Sequence, residues 1–192
     1  CSPHDIEHLK SYGLTTEERQ TLISWVNAGA PQGNPEELPE ARPQTGEWAL
    51  GQPDLVVQMA EPYTPARGKD VYRCFVVSNP FEETAYVKAV DVIPGDRRVV
   101  HHVIAYMLET DVAQGQAEAL DAQDPGPGYT CYGGPGVNAR FTIGWAPGGG
   151  PTRLPTDTGL RVPGNRKIVM QIHYNVAGGA FPDQTKIKVS VA

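Results

Sequence analysis

The chain has 192 residues, of which 40% are hydrophobic and 20% are charged, and its net charge is −6. These values are typical of a folded soluble protein, and nothing in them indicates the basic surface that binds nucleic acid or an anionic membrane. The apolar runs are shorter than the about 18 residues that a membrane-spanning helix needs. Because the chain begins with Cys1, has no initiator methionine and ends in a strand pattern, we expect it to be part of a longer protein.

One clear helix is predicted near the N-terminus. Thr15 and Glu18 have the spacing of a capping box, in which two residues satisfy each other's backbone N–H groups. Proline, glutamate and glutamine dominate the stretch that follows, as is typical of an extended linker. We therefore expect a helical segment at 1–33, a linker at 34–53 and a β-sandwich at 54–192.

Short strand patterns separated by glycine and proline turns fill the rest of the chain. Such a series predicts a mainly β fold, an antiparallel jelly-roll-like β-sandwich with one short N-terminal helix. A further helical pattern is confined to Val112–Leu120. The predicted strands are Asp54–Met59, Val71–Ser78, Ala85–Ile93, Arg98–Leu108, Phe141–Trp145, Lys167–Asn175 and Lys186–Val191.

The segment VVHHVIAYM, residues 99–107, places His101 and His102 side by side in an apolar strand pattern. Neighbouring side chains of a regular strand point to opposite faces, so the two imidazoles bind one ion only if the strand is bulged there. His173 shares the less apolar face of a later predicted strand with Gln171. Three imidazoles suit zinc, copper, iron or nickel. The alternative is a set of separate core or surface histidines that never meet.

The three cysteines also leave alternatives open. Cys74 lies in a strand pattern and Cys131 in a glycine-rich loop. They form either a disulfide, which requires an oxidising compartment, or two free buried thiols. Cys1 is left over, and it pairs upstream, pairs between chains or carries a lipid.

Three segments together resemble one known family. YRCFVV, VVHHVIAYM and TRLPTDTGLRVPGNRKIVMQIHYN are similar to the N-terminal half of the copper type II, ascorbate-dependent monooxygenases. The similarity extends over residues 48–192 and keeps the order of the motifs. The combination of His-His, Trp-Ala, Leu-Pro and Gln-x-His-Tyr is much more specific than any one of them.

The resemblance implies two β-sandwich domains that each hold one copper, reduced by ascorbate or another one-electron donor. In this chain it implies an electron-storing copper on His101, His102 and His173. It also implies a disulfide between Cys74 and Cys131, which favours an extracytoplasmic location, whether periplasmic, cell-surface or secreted.

Each metal-binding ring is expected to donate its second N–H to a neighbouring group. Gln171 and Tyr106 are the predicted partners. They would fix the orientation of the imidazoles around the ion.

The chain also departs from the family. The family's C-terminal domain binds an oxygen-activating copper through His-x-His and a methionine, and this sequence has no His-x-His. His4 and His8 are four positions apart and precede the predicted sandwich. The chain alone is therefore not expected to be catalytic, and a C-terminal copper domain is an expected partner. The methionines all lie in predicted strands of the first domain: Met59, Met107 and Met170.

Three functions compete at this point. The first is the electron-transfer half of a copper monooxygenase that hydroxylates C–H bonds with O2. The second is a non-catalytic copper-binding or structural extracellular sandwich, such as a surface or filament subunit, whose last strand KIKVSVA is an unpaired edge that self-associates. The third is a zinc hydrolase with a zinc-bound water of pKa about 7, although no Glu or Asp lies within the histidine motifs.

The N-terminal segment LTTEERQTLISWVNAGAPQGNP resembles the last helix and tail of bacterial c-type cytochrome domains. The sequence contains no Cys-x-x-Cys-His, so these residues cannot attach haem covalently. A cytochrome c is nevertheless an expected electron donor by analogy. Cys1, His4 and His8 have a spacing that suits a metal ion, and the alternative is a solvated acidic segment.

Overall fold

The computed structural model describes residues 13–38 and 50–192. The chain divides into two compact units, Cys1–Gln44 and Thr45–Ala192. Three residues considered above lie outside the described ranges: Cys1, His4 and His8.

The N-terminal unit contains one α-helix in its described part, α1, which spans Thr16–Asn27. The predicted capping box is confirmed. The Thr15 N–H donates to the Glu18 carboxylate (2.7 Å), and the Glu18 N–H donates to the Thr15 hydroxyl (3.2 Å). Gly29 follows the helix with a φ of +86°, which glycine adopts without strain. A short 3₁₀ turn, Pro35–Glu37, then opens the stretch that was predicted as a linker.

The second unit contains, within its described residues, ten strands and the helix α2, Asp111–Gln123. Each of the seven predicted strands overlaps an observed strand, and α2 includes the predicted stretch Val112–Leu120. The strands are β1 (Leu55–Gln58), β2 (Val71–Val77), β3 (Ala85–Ile93), β4 (Val100–Met107), β5 (Tyr129–Thr130), β6 (Arg140–Trp145), β7 (Thr152–Arg153), β8 (Leu160–Val162), β9 (Ile168–Tyr174) and β10 (Lys186–Val191).

These strands form two antiparallel sheets. In the first sheet β10 lies between β1 and β3, and both β7 and β8 pair with the other edge of β3. In the second sheet the order is β5-β2-β9-β4-β6. Valines of β3 and β10 share one apolar core with residues of β2, β4 and β9, so the sheets pack face to face. The prediction of a mainly β antiparallel sandwich is confirmed.

The faces of β9 follow the predicted alternation. Met170, Ile172 and Tyr174 point into the core between the sheets, whereas Gln171 and His173 take the alternate positions and the opposite face. The second sheet therefore has polar side chains on its outer face and hydrophobic side chains on the face that packs in the core.

Helix α2 covers another part of that outer face. Its Ala113 and Ala117 are buried together with Cys74 and Cys131 in a second, smaller apolar cluster. Cys74 of β2 and Cys131 are joined in a disulfide, as the family resemblance implies. The bridge ties the residue after β5 to β2 of the second sheet.

The last strand differs from one expectation. KIKVSVA was considered as an unpaired edge, but β10 hydrogen-bonds to β1 on one side and to β3 on the other. That expectation is wrong because an alternating pattern shows which side chains face the core and does not show how many neighbours the strand has. Separately, none of the helices in the described part of the chain has the length and apolar character needed to cross a bilayer.

Candidate metal centre

A β-bulge turns the two adjacent histidines to the same side of β4. Across β4 and β9, Val100 pairs with Tyr174 and His102 pairs with His173, so His101 is an extra residue without a partner. Val100 and Val103 are both buried in the core, at 2% and 1% exposure. A regular strand places one outward residue between two inward residues that are two positions apart, and here two outward residues stand between the valines. The irregularity that the sequence predicted at this pair is confirmed.

The three imidazoles converge on one point through their Nδ1 atoms. The Nδ1–Nδ1 distances are 3.3 Å between His101 and His102, 3.1 Å between His101 and His173, and 3.3 Å between His102 and His173. A tetrahedral ion with nitrogen ligands at about 2.0 Å places those ligands about 3.3 Å apart. With their Nδ1 atoms unprotonated, the three rings direct their lone pairs at one point, so the donor set fits a single transition-metal ion.

Burial decreases from one ring to the next. His173 is 6% exposed, His102 is intermediate and His101 is exposed. Burial, followed by the neighbouring rings of His173 and His101, lowers the pKa of His102 below its usual value. The low pKa keeps that ring neutral and its nitrogen available to a metal. The cluster thus opens to solvent on the side of His101.

Two side chains fix the ring of His173. Its Nε2 donates to Oδ2 of Asp70 at 2.9 Å, which leaves the Nδ1 lone pair for the cluster. The ring of Tyr72 lies parallel to the imidazole, with centroids 4.2 Å apart and an interplanar angle of 4°. The buried ligand is therefore held both along its plane and across its face.

The sequence predicted different partners for these rings. The side-chain amide of Gln171 instead donates to the carbonyl of Gly134 (3.1 Å) and contacts Sγ of Cys131 (3.4 Å). Tyr106 packs edge-on against Phe141. Asp70 was missed because it precedes β2 and is remote in sequence from every histidine. The only signal for it was an acidic residue just before YRCFVV.

An aromatic pair extends from the cluster to the surface. Tyr132 contacts Tyr72 edge-on, with ring centroids 5.0 Å apart, and it is 83% exposed. Its position is set by the preceding residue, because the N–H of Cys131 donates to the carbonyl of Tyr72 at 3.2 Å. The disulfide therefore anchors one wall of the candidate site.

In the described part of the chain, no other group of three histidine, cysteine or carboxylate side chains comes together in this way. The three methionines are all buried in the core between the sheets. A solvent-accessible metal site does not have such surroundings. The described residues thus assemble one candidate metal centre.

Comparisons with known proteins identify one family. Residues 55–179 match the profile of a family described as copper type II ascorbate-dependent monooxygenase, N-terminal domain. Peptidylglycine alpha-amidating monooxygenase of Rattus norvegicus is 28% identical over 137 residues, which are 69% of this chain and 13% of the relative. The Mus musculus protein matches with the same identity and coverage. The matched range includes the three histidines and both cysteines of the disulfide.

Proposed function

The chain belongs to the copper type II ascorbate-dependent monooxygenases through their N-terminal domain, and on this premise we propose that it is the electron-transfer half of such an enzyme. His101, His102 and His173 would hold one copper ion. The observation that carries the proposal is the convergence of their three Nδ1 atoms at 3.1–3.3 Å from one another.

The donor set suits this role chemically. Copper bound there supplies a one-electron store, since neutral imidazoles are ligands for both of its common oxidation states. The residues around it set the geometry: Asp70 holds the proton on Nε2 of His173, and Tyr72 prevents that ring from turning. The exposed His101 leaves one side of the cluster open to solvent.

We place the oxygen chemistry outside these residues. One cluster among the described residues supports one copper, and the match covers only 13% of the length of each relative. A C-terminal copper domain that activates O2 and hydroxylates a C–H bond is therefore the proposed partner. By this proposal the chain alone accepts and donates electrons without forming product.

The location and the electron donor follow from the same proposal. The disulfide between Cys74 and Cys131 supports an extracytoplasmic location, because disulfides persist in oxidising compartments. Ascorbate, which the family description includes, is one proposed donor. A cytochrome c is the other, on the resemblance of the N-terminal segment to the tail of such domains.

Metal analysis of the natural protein tests the proposal. We expect one copper per chain in the wild type and in the control variant His8→Ala, and none in His173→Ala. The bound copper should lose its Cu(II) electron paramagnetic resonance signal on adding ascorbate. Zinc in place of copper would contradict the proposal in favour of a hydrolase. A wild-type chain that takes up no metal when copper is supplied would leave a structural sandwich.

A further inference from the structure

An open depression lies beside the three-histidine cluster. It is formed by the loop that enters β2 and the turn that leaves β9, and its volume is about 460 Å³. This volume is within the range of sites that bind small molecules. It is lined by Arg67, Gly68, Lys69, Asp70, Val176, Ala177 and Gly179.

The depression carries two cations, Arg67 and Lys69, and one carboxylate, Asp70, so positive charge is in excess. Arg67 and Lys69 are exposed, and within the described residues neither forms an ion pair. Five pairs occur elsewhere in the sandwich, and the sixth joins Asp70 to His173. The third charged residue, Asp70, is hydrogen-bonded to His173. In a chain whose net charge is −6, two free cations beside one cavity make a local site that attracts small anions.

The depression also has a direct connection to the metal centre. Asp70 lines its wall, and Oδ2 of the same residue accepts the Nε2–H of His173 at 2.9 Å. A molecule in the depression is therefore separated from a metal-binding ring by one side chain and one hydrogen bond. This arrangement gives an anion a place close to the buried ligand without displacing any of the three imidazoles.

We propose that this depression is the docking site of the anionic reductant, the ascorbate monoanion, and that its electron reaches the metal through Asp70 and His173. The proposal rests on the proposed function. The monoanion gives up one electron and one proton and becomes the ascorbyl radical anion. A copper ion held by His101, His102 and His173 would take up the electron and pass from Cu(II) to Cu(I), and the proton would pass to water.

Binding to the metal-free chain tests the docking site without any redox reaction. We would titrate ¹⁵N-labelled protein with ascorbate under argon and follow the amide resonances. Saturable shifts are expected for residues 67–70 and 176–179. They should be lost in the double variant Arg67→Gln/Lys69→Gln and kept in Lys88→Gln/Arg153→Gln, which removes the same charge from another open cavity. Absence of saturable shifts in the wild type would overturn the proposal.

Reduction kinetics supply the second readout. In the copper-loaded chain, Arg67→Gln/Lys69→Gln should slow reduction by ascorbate about tenfold, as the loss of electrostatic attraction predicts. Reduction by neutral hydroquinone should be unchanged. Equal slowing with both reductants would overturn the docking site, and so would slowing only with an acidic cytochrome as donor. A wild-type copper that neither reductant reduces would instead contradict the proposed function, so the two failures are distinguishable.

Discussion

At the scale of single residues, Asp70 distinguishes His173 from the other two candidate ligands. It is the carboxylate that accepts from the second ring nitrogen of this imidazole. A carboxylate in this position fixes the tautomer and makes the ring a stronger donor to a metal. The effect of Asp70 is therefore separable from the effect of the ligand itself.

Replacing Asp70 with asparagine should weaken copper binding while leaving the three histidines in place. The amide oxygen still accepts a hydrogen bond, but the negative charge that favours Cu(II) is lost. We expect the affinity for Cu(II) to fall by about 10–100-fold and the reduction potential to rise. Competition titration with a copper chelator and electrochemistry measure the two effects.

The matched control for this change is Asp157→Asn. Asp157 has a φ of +63° in an exposed turn, a conformation that asparagine also adopts, and it lines a different cavity. This variant should bind copper as the wild type does. Equal weakening in both variants would mean that loss of net charge, and not the contact with His173, accounts for the result.

Asp121 and Asp124 are three positions apart and have opposite electrostatic surroundings. Burial raises the pKa of Asp121, and its Oδ1 is buried without a hydrogen-bond partner. The backbone N–H of Thr130 lowers the pKa of Asp124, which also binds the guanidinium of Arg73 at 2.9 Å. The first carboxylate is unfavourable to the folded state, and the second stabilises it.

Substitution of each aspartate by asparagine should therefore change stability in opposite directions. Asp121→Asn should stabilise the fold by about 0.5 kcal/mol at pH 7, a small gain because solvent screens a partly exposed group. Asp124→Asn should destabilise it by about 1–2 kcal/mol, since the buried Arg73 loses its charged partner and one of the two acceptor oxygens that serve Arg73 and Thr130 is replaced by an amide nitrogen. Urea unfolding measures both changes.

The two changes in stability should depend on pH in different ways. The folded-state pKa of Asp121 lies above its unfolded value. Ionised Asp121 therefore destabilises the fold as pH rises from the unfolded-state pKa to the folded-state pKa. The gain in stability of Asp121→Asn should vanish in acid, where the carboxyl is protonated in both states. The folded-state pKa of Asp124 is lowered, so its contribution is lost as pH falls through that value. A gain for Asp121→Asn that is constant with pH would contradict the assigned cause.

At the scale of elements, the bulge in β4 creates the candidate centre. It was predictable from the sequence because two imidazoles inside an apolar strand have no regular arrangement in which both face the same way. The short strands β5, β7 and β8 were not predictable. They contain only two or three residues, and their backbone is extended because longer neighbouring strands pair with it.

Deleting His101 tests the account of the bulge. Without it, Val100 and Val103 flank a single outward residue, and the inward–outward alternation of β4 becomes regular. We expect β4 to keep its pairing with β9 and the melting temperature to fall no further than in His101→Ala. Copper binding should be lost in the deletion, as in any variant that lacks one of three ligands.

Deletion of a paired residue provides the control. Removing Ile104, which pairs with Gln171 of β9 and Gly144 of β6, shifts every following side chain of β4 to the other face. This variant should be strongly destabilised or should not fold. If the two deletions are equally damaging, His101 is not the unpaired residue of a bulge.

At the scale of the whole molecule, the sequence predicted the sandwich but not the position of each strand within it. The alternation of Val, Ile and Met with polar residues shows which side chains enter the core, and it can be recognised within each short segment of sequence. The placement of β10 between β1 and β3 depends on pairing with residues far away in sequence. The three histidines were predicted as a set through the family resemblance, whereas Asp70, which is remote from them in sequence and belongs to no quoted motif, was not predicted.

The disulfide between Cys74 and Cys131 acts on the molecule as a whole, because it closes a loop of 57 residues. In the chain-entropy description, a loop of this length contributes about 4 kcal/mol to stability. The bridge also positions Tyr132 beside the aromatic wall of the metal centre, through the hydrogen bond from Cys131 to Tyr72. Its loss should therefore affect folding and the aromatic wall beside the centre, but not the three ligands themselves.

The double variant Cys74→Ala/Cys131→Ala should be destabilised by about 2–4 kcal/mol in urea unfolding. Treatment of the wild type with a strong reductant should reproduce this loss and should leave the variant unaffected, which serves as the control. The histidines belong to β4 and β9 and not to the bridged loop, so copper should still bind to the folded variant. A variant that is as stable as the wild type, or a folded variant without copper, would contradict this division between the bridge and the ligands.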